Sequence, residues 1–138
     1  CDRVAVMYLG RIVEMAVTEE LYYKPKHPYA EALMSAIPPD DPEVTMQKLF
    51  VHGEQPSPVN PPSGCTFHPR CKFADDSRCV NEVPTLREVF PEHFVSCHYA
   101  ESLSCKGALQ FQIKQRESTN KKQVEYLQTK RTKILAKL

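Results

Sequence analysis

A chain of 138 residues is long enough for one small domain with appendages, and its formal net charge of +1 offers no global field for nucleic acid. Residues 1–100 carry 9 Lys and Arg against 14 Asp and Glu, while residues 101–138 carry 9 against 3, which sets the last stretch apart as a basic tail. No apolar run is long enough to span a bilayer, residues 1–20 lack the basic start and small-residue cleavage site of a signal peptide, and a cytosolic chain is the expectation.

The chain opens Cys1-Asp2-Arg3, with no Met, straight into an apolar run, as expected of a piece of a longer protein. Arg3 to Leu9 reads as a strand with Val4, Val6 and Tyr8 on one face and Ala5, Met7 and Leu9 on the other. Both faces are apolar, which suits a central strand covered on both sides. Gly10-Arg11 then fits a type II′ turn, and Ile12 to Ala16 returns as the second strand of a hairpin. Thr18 is placed to cap a short helix, with Glu19 and Glu20 against its dipole and Pro25 ending it. His27 reads as a cap or turn residue rather than a base, and Pro28 starts the next helix. There Ala30, Leu33, Met34 and Ile37 form one apolar face, and Pro38-Pro39 stop it.

Eight of the twelve prolines lie between residues 38 and 69, so that stretch is extended or looped. Within it, Gln55-Pro56-Ser57-Pro58-Val59-Asn60-Pro61-Pro62 reads as semi-rigid and polyproline-like. Far downstream, Val124, Leu127, Arg131, Ile134 and Leu138 recur at three or four residues, which predicts an amphipathic basic helix over 120–138. Contact of this tail with acidic lipid headgroups is one use for it; a solvated helix or packing arm is the plainer one.

Four of the six cysteines concentrate the chemistry. Cys65, Cys71, Cys79 and Cys97 fall within 33 residues of a Pro-rich, helix-poor segment with few aliphatic side chains. A bound metal would supply folding free energy that so small a core cannot. Cytosolic cysteines are kept reduced, which argues against two disulfides; four unrelated buried thiols are the remaining alternative. Structural zinc is usually held by two C-x(2–4)-C knuckles, and no pair here is that close; a wider [4Fe–4S] cluster accepts longer ligand loops. Spacing leans only mildly to the cluster and leaves zinc open. Cys1 and Cys105 read as ordinary residues, His68 and His98 as shapers of the loop, and Asp40-Asp41 and Asp75-Asp76 as solvated charge pairs. There is no G-x-x-x-x-G-K-S/T, no G-x-S-x-G and no H-E-x-x-H, so the residues themselves describe a binding or interaction module and not an enzyme.

Three stretches carry a family resemblance. Cys1 to Glu14, reading Cys-Asp-Arg-Val-Ala-Val-Met-Tyr-Leu-Gly-Arg-Ile-Val-Glu, resembles the last strands of an ABC-transporter ATPase just past its switch histidine. Pro25-Lys26-His27-Pro28-Tyr29-Ala30-Glu31-Ala32-Leu33 is similar to the N-P-x-H-P-Y-T-x-x-L element of oligopeptide/dipeptide importers, with Ala30 in place of the Thr. Gly53-Glu54 through Ser57-Pro58-Val59-Asn60-Pro61-Pro62-Ser63-Gly64-Cys65-Thr66-Phe67-His68-Pro69-Arg70-Cys71 is similar to their C-terminal extension, with Lys72 where a Pro is usual. The likeness runs from residue 1 to about Cys97-His98; the tail beyond Cys105 has no counterpart.

Beside the residue pattern, which alone gives the helical basic tail, the resemblance implies an α+β piece: an N-terminal β-hairpin, short helices and a loop-rich four-cysteine module. It divides the chain into the end of an ATPase domain (1–37), a Pro-rich linker (38–64), a cysteine-rich extension (65–105) and the tail (106–138). It assigns a [4Fe–4S] cluster to Cys65, Cys71, Cys79 and Cys97, with zinc as a substitute. ATP and Mg would enter only through upstream motifs, so this chain alone is expected neither to bind nor to hydrolyse ATP. Implied partners are a paired ATP-binding subunit and the transporter's membrane subunits, at the cytoplasmic face of the membrane, and no nucleic acid. An excised strand 3–9 would also invite self-association. An independent small metal-binding interaction module is the competing reading.

Overall fold

The computed structural model describes residues 1–38, 48–108, 110 and 111. Its elements are β1 (Arg3–Tyr8), β2 (Arg11–Val17), α1 (Thr18–Tyr23), α2 (Pro28–Met34), a single 3-10 turn (His68–Arg70), α3 (Arg78–Asn81), β3 (Arg87–Phe90) and β4 (His93–Val95). The four strands make one antiparallel sheet in the order β1-β2-β4-β3. The architecture is α+β. The expected basic helix over 120–138 lies outside the described residues.

The hairpin forms as expected, with its turn one residue earlier. Leu9 (φ 46°) and Gly10 (φ 77°) are the two central residues, between the paired Tyr8 and Arg11. Two consecutive left-handed residues make a type I′ turn, whose twist matches the strands, so the type II′ reading of Gly10-Arg11 is corrected. A bulge between Val6 and Met7 breaks the register. Strand β1 is also not covered on both sides: Val6 and Tyr8 are buried, whereas Met7 is 55 % exposed. It is an edge strand of the described sheet.

Helix α1 follows β2 directly and has no side-chain cap. Thr18, expected as that cap, is the first helical residue; its Oγ1 donates instead to the Cys1 carbonyl at 2.6 Å, and its N–H to Asp2 at 3.1 Å. Helix α2 is capped as its sequence predicts. Nδ1 of His27 accepts the Tyr29 N–H at 3.1 Å, and Pro28 occupies the first turn, where its missing N–H costs nothing.

The apolar face expected of α2 is only partly the buried one. Leu33 is exposed, while His27, Glu31 and Ser35, spaced at four, are buried with Ala30. Against that face packs an aromatic cluster: Tyr8 and Tyr29 with centroids 4.8 Å apart, and Phe67 at 5.2 and 5.3 Å from them. Phe67 comes from the Cys65–Cys71 loop, so this loop is anchored in the core of the hairpin and α2. Downstream, β3 and β4 were not anticipated from a loop-rich reading. Strand β4 pairs with β2, Glu14 opposite Val95 and Met15 opposite Phe94, which joins the cysteine-bearing stretch to the hairpin.

Candidate functional site

The four cysteines stand on four short pieces of backbone that hydrogen bonds pull together. Cys65 and Cys71 bracket a run of tight turns: His68 N–H donates to Cys65 O at 2.9 Å, Arg70 N–H to Phe67 O at 3.0 Å, and Cys71 N–H to His68 O at 3.2 Å. Pro69 suits the 3-10 turn because its φ is already set. Cys79 sits in α3, and its carbonyl accepts the Cys65 N–H at 2.9 Å, which closes the first cysteine pair onto the third. Gly64 makes that approach possible. Its φ is +61°, and a Cβ there would lie 2.4 Å from Cys79 O and 2.6 Å from Val80 O. Cys97 follows β4. Its carbonyl accepts from Nη1 of Arg87 at 2.6 Å, while Nη2 of Arg87 bonds both Glu101 oxygens at 2.9 and 2.7 Å.

All six cysteines are free thiols. Burial raises Cys71 and Cys97 to about 11, and it raises Cys65 and Cys79 as well. After burial and local backbone bonds, the thiols act on one another: Cys65 and Cys79 on Cys71, and Cys65, Cys71 and Cys79 on Cys97. In geometry, a backbone bond joins Cys65 to Cys79, and Asp75 bridges the Cys79 amide and the Tyr99 hydroxyl, two residues past Cys97. Four thiolates cannot collect uncompensated; a cation would favour all four deprotonations at once. Among the described residues, no group of three or more His, Cys, Asp or Glu is placed to hold a metal ion.

The remaining cysteines separate. Cys1 is exposed, its Sγ donating to Arg3 O at 2.9 Å. Cys105 is pushed up to about 12 by burial first, then by Glu31, Glu14 and Cys97. His68 and His98 are occupied with backbone: ring nitrogens donate to Cys65 O and Glu82 O, each at 2.9 Å.

Three acidic residues do work that the sequence reading missed. Glu14, 0 % exposed on β2, accepts the N–H groups of Lys26 and His27, each at 2.8 Å, and meets His93 Nε2 at 2.6 Å. One carboxylate thus ties the hairpin, the α1–α2 junction and β4. Glu31 on α2 accepts Lys106 N–H at 3.0 Å and lies 3.1 Å from Lys72 Nζ, beside Cys71. Next to Lys106, Gly107 packs so close to α1 that a Cβ would come within 2.1 Å of Tyr23 O. Asp75, read as solvated, accepts from Cys79 N–H at 2.9 Å and from the Tyr99 hydroxyl; these bonds, the Cys79 one foremost, hold it down at about 2. Its neighbour Asp76 is exposed, as expected. The signal for Glu31 was available in the His27-Glu31-Ser35 spacing. An Asp shortly before a helix start is likewise a cap-type position.

Residues 13–79 match the family model of the oligopeptide/dipeptide transporter, C-terminal region. This chain carries that C-terminal region. A Brucella ovis protein named for peptide import and ATP binding is 55 % identical over 97 residues, 70 % of this chain and 30 % of that protein. The di/tripeptide transport ATP-binding protein DppF of Pseudomonas aeruginosa is 49 % identical over 100 residues, 72 % of this chain and 30 % of its own length. The oligopeptide transport ATP-binding protein AppF of Bacillus subtilis is 46 % identical over 99 residues, 70 % and 30 % respectively. The chain thus spans about 30 % of the length of the curated relatives it matches. No helix among the described residues is long and apolar enough to cross a membrane.

Proposed function

We propose that this chain serves as the C-terminal part of the ATP-binding subunit of a peptide importer, and that Cys65, Cys71, Cys79 and Cys97 hold one [4Fe–4S] cluster there. What supports the reading is the family match over residues 13–79, together with the bonds that tie the cysteine-bearing segments, Cys65 N–H to Cys79 O and Asp75 to the Cys79 amide and the Tyr99 hydroxyl. Bound, the cluster would supply the positive charge that stabilises four thiolates and would cross-link four chain segments. Its role is structural or regulatory. The residues of the chain hold and orient: Phe67 roots the first ligand loop in the core, Glu14 fixes β4 to the hairpin, and Arg87 holds the Cys97 carbonyl.

ATP binding and hydrolysis belong to the upstream part of the subunit, which would act with a second ATP-binding subunit and membrane subunits at the cytoplasmic face of the membrane. The transported solutes would be peptides, in line with the names of the relatives. Anaerobic reconstitution with iron and sulfide tests the metal claim. The expected result is four iron and four sulfide per chain, with broad absorbance near about 400 nm that any single Cys→Ser change at the four positions removes. Zinc binding alone, or no iron in wild-type chain, overturns it.

A further inference from the structure

We infer that a cavity between α2, residues 49–52 and the Cys65–Cys71 loop binds a free α-amino acid with an apolar side chain. The cavity measures about 170 Å³. That is the scale of the roughly 150 Å³ apolar cavity that takes up benzene. Its apolar wall includes Ala32, Val51 and Phe67, and its polar lining includes Glu31, Arg70 and Lys72. Two of the polar residues carry a buried atom with no hydrogen-bond partner among the described residues: Oε2 of Glu31 and Nε of Arg70. The third such atom, the Tyr8 hydroxyl, belongs to a residue outside the lining. Glu31 is only 2 % exposed, and its Oε2 keeps an ion pair with Lys72 Nζ at 3.1 Å. Its Oε1 is taken by the Lys106 N–H.

The two atoms need opposite partners. A carboxylate oxygen accepts from an N–H donor, and a guanidinium Nε–H needs an acceptor. A small molecule with both an ammonium and a carboxylate supplies the two together, and an apolar side chain on it covers the wall of Ala32, Val51 and Phe67. An α-amino acid is the smallest ligand that carries all three. Water satisfies each polar atom singly but leaves the apolar wall wet. A simple anion meets Arg70 and Lys72 but sets a like charge beside Glu31, and a simple amine does the same beside Arg70. Bound, the ligand would bridge α2, residues 49–52 and the Cys65–Cys71 loop, three segments that are separate in sequence. The site asks nothing of the thiols and is independent of both the metal reading and the importer reading.

The experiment titrates L-leucine into the 138-residue chain by calorimetry and compares analogues that each lack one feature. Leucinamide has no carboxylate, 4-methylpentanoate has no ammonium, and glycine has no side chain. Each should bind about tenfold or more weakly than leucine, the size of one charged hydrogen bond or one buried side chain. The dipeptide Ala-Leu, whose two charges stand further apart, should also bind more weakly. Arg70→Gln removes the donor, and Ala32→Leu fills the cavity without changing its charge; each should weaken leucine about tenfold or more. Arg78→Gln makes the same charge change outside the lining and should match wild type. Circular dichroism checks each variant; if one fails to fold, the analogues on wild-type chain decide. Folded wild-type chain that does not bind leucine at millimolar concentration overturns the inference. So does leucinamide, 4-methylpentanoate or inorganic phosphate binding as tightly as leucine, Ala-Leu binding more tightly, or wild-type affinity in folded Ala32→Leu.

Discussion

The hairpin with α1 and α2 and the stretch from Gly64 to Cys105 solve the same problem by different means. The first buries Val6, Tyr8, Val13, Ala16, Leu21 and Ala30 as a continuous apolar cluster. The second has only Val95, Cys97 and Ala100 as a buried nucleus of its own. It relies on turns, carboxylate clasps and one borrowed anchor, Phe67, which sits in the first region's core. Apolar burial stabilises without regard to direction, whereas polar ties require every partner in place. The second region is thus the one whose stability a bound metal–sulfur group can change most.

The largest break in that comparison is expected at Glu14, because it is the tie between the two regions. Glu14→Leu leaves the Lys26 and His27 amides and the His93 ring unpaired in a buried site, a loss of about 3–5 kcal/mol. Urea unfolding followed by circular dichroism should show a lower midpoint for the whole chain. A midpoint equal to wild type would mean that the regions are not joined there.

Acid should weaken the first region next. His27 is buried, and burial lowers its pKa to about 4 from 6.5. Its Nδ1 accepts the α2 cap bond, so protonation also removes that cap. With the folded value below the unfolded one, stability is fully present above pH 6.5 and declines as pH falls towards about 4, by up to about 3 kcal/mol. In a His27→Gln chain the part of the slope between those two pH values should flatten; an unchanged slope would assign the acid sensitivity to other groups.

Metal removal sharpens the contrast by acting on one region only. Stripping iron from reconstituted protein with chelator should speed amide exchange at residues 65–97 by about tenfold or more, while β1 and β2 keep their protection. Uniform loss of protection would mean one cooperative unit. The smallest effect is expected at Glu101, an exposed partner of Arg87 at 2.7 Å. Glu101→Gln should leave the unfolding midpoint within error, since solvent screens the pair and Arg87 keeps its bond to Cys97 O.

Much of the local structure was legible because local rules govern it. Strand alternation and a Gly at the turn announced the hairpin, and His27-Pro28 announced the start of α2. The errors are equally local. The turn settled on Leu9-Gly10 because two left-handed residues match strand twist better than one, a choice made jointly by both strands. Thr18 lost its capping role because β2 runs into α1 without a break, and the Cys1 carbonyl took its hydroxyl. Strands β3 and β4 were invisible because they are four and three residues long, too short for a period to show.

Sequence alone determined the hairpin, the cap at His27 and the family motifs, since each is written in neighbouring residues or in spacing. Tertiary structure decided which charged residues turn inward. Glu14, Glu31 and Asp75 look like ordinary surface acids in the chain. Each is drawn in by donors many residues away: His93 for Glu14, Lys106 for Glu31, Tyr99 for Asp75. A buried carboxylate is stable only where such donors converge, and that convergence exists only once the strands and loops have been brought together.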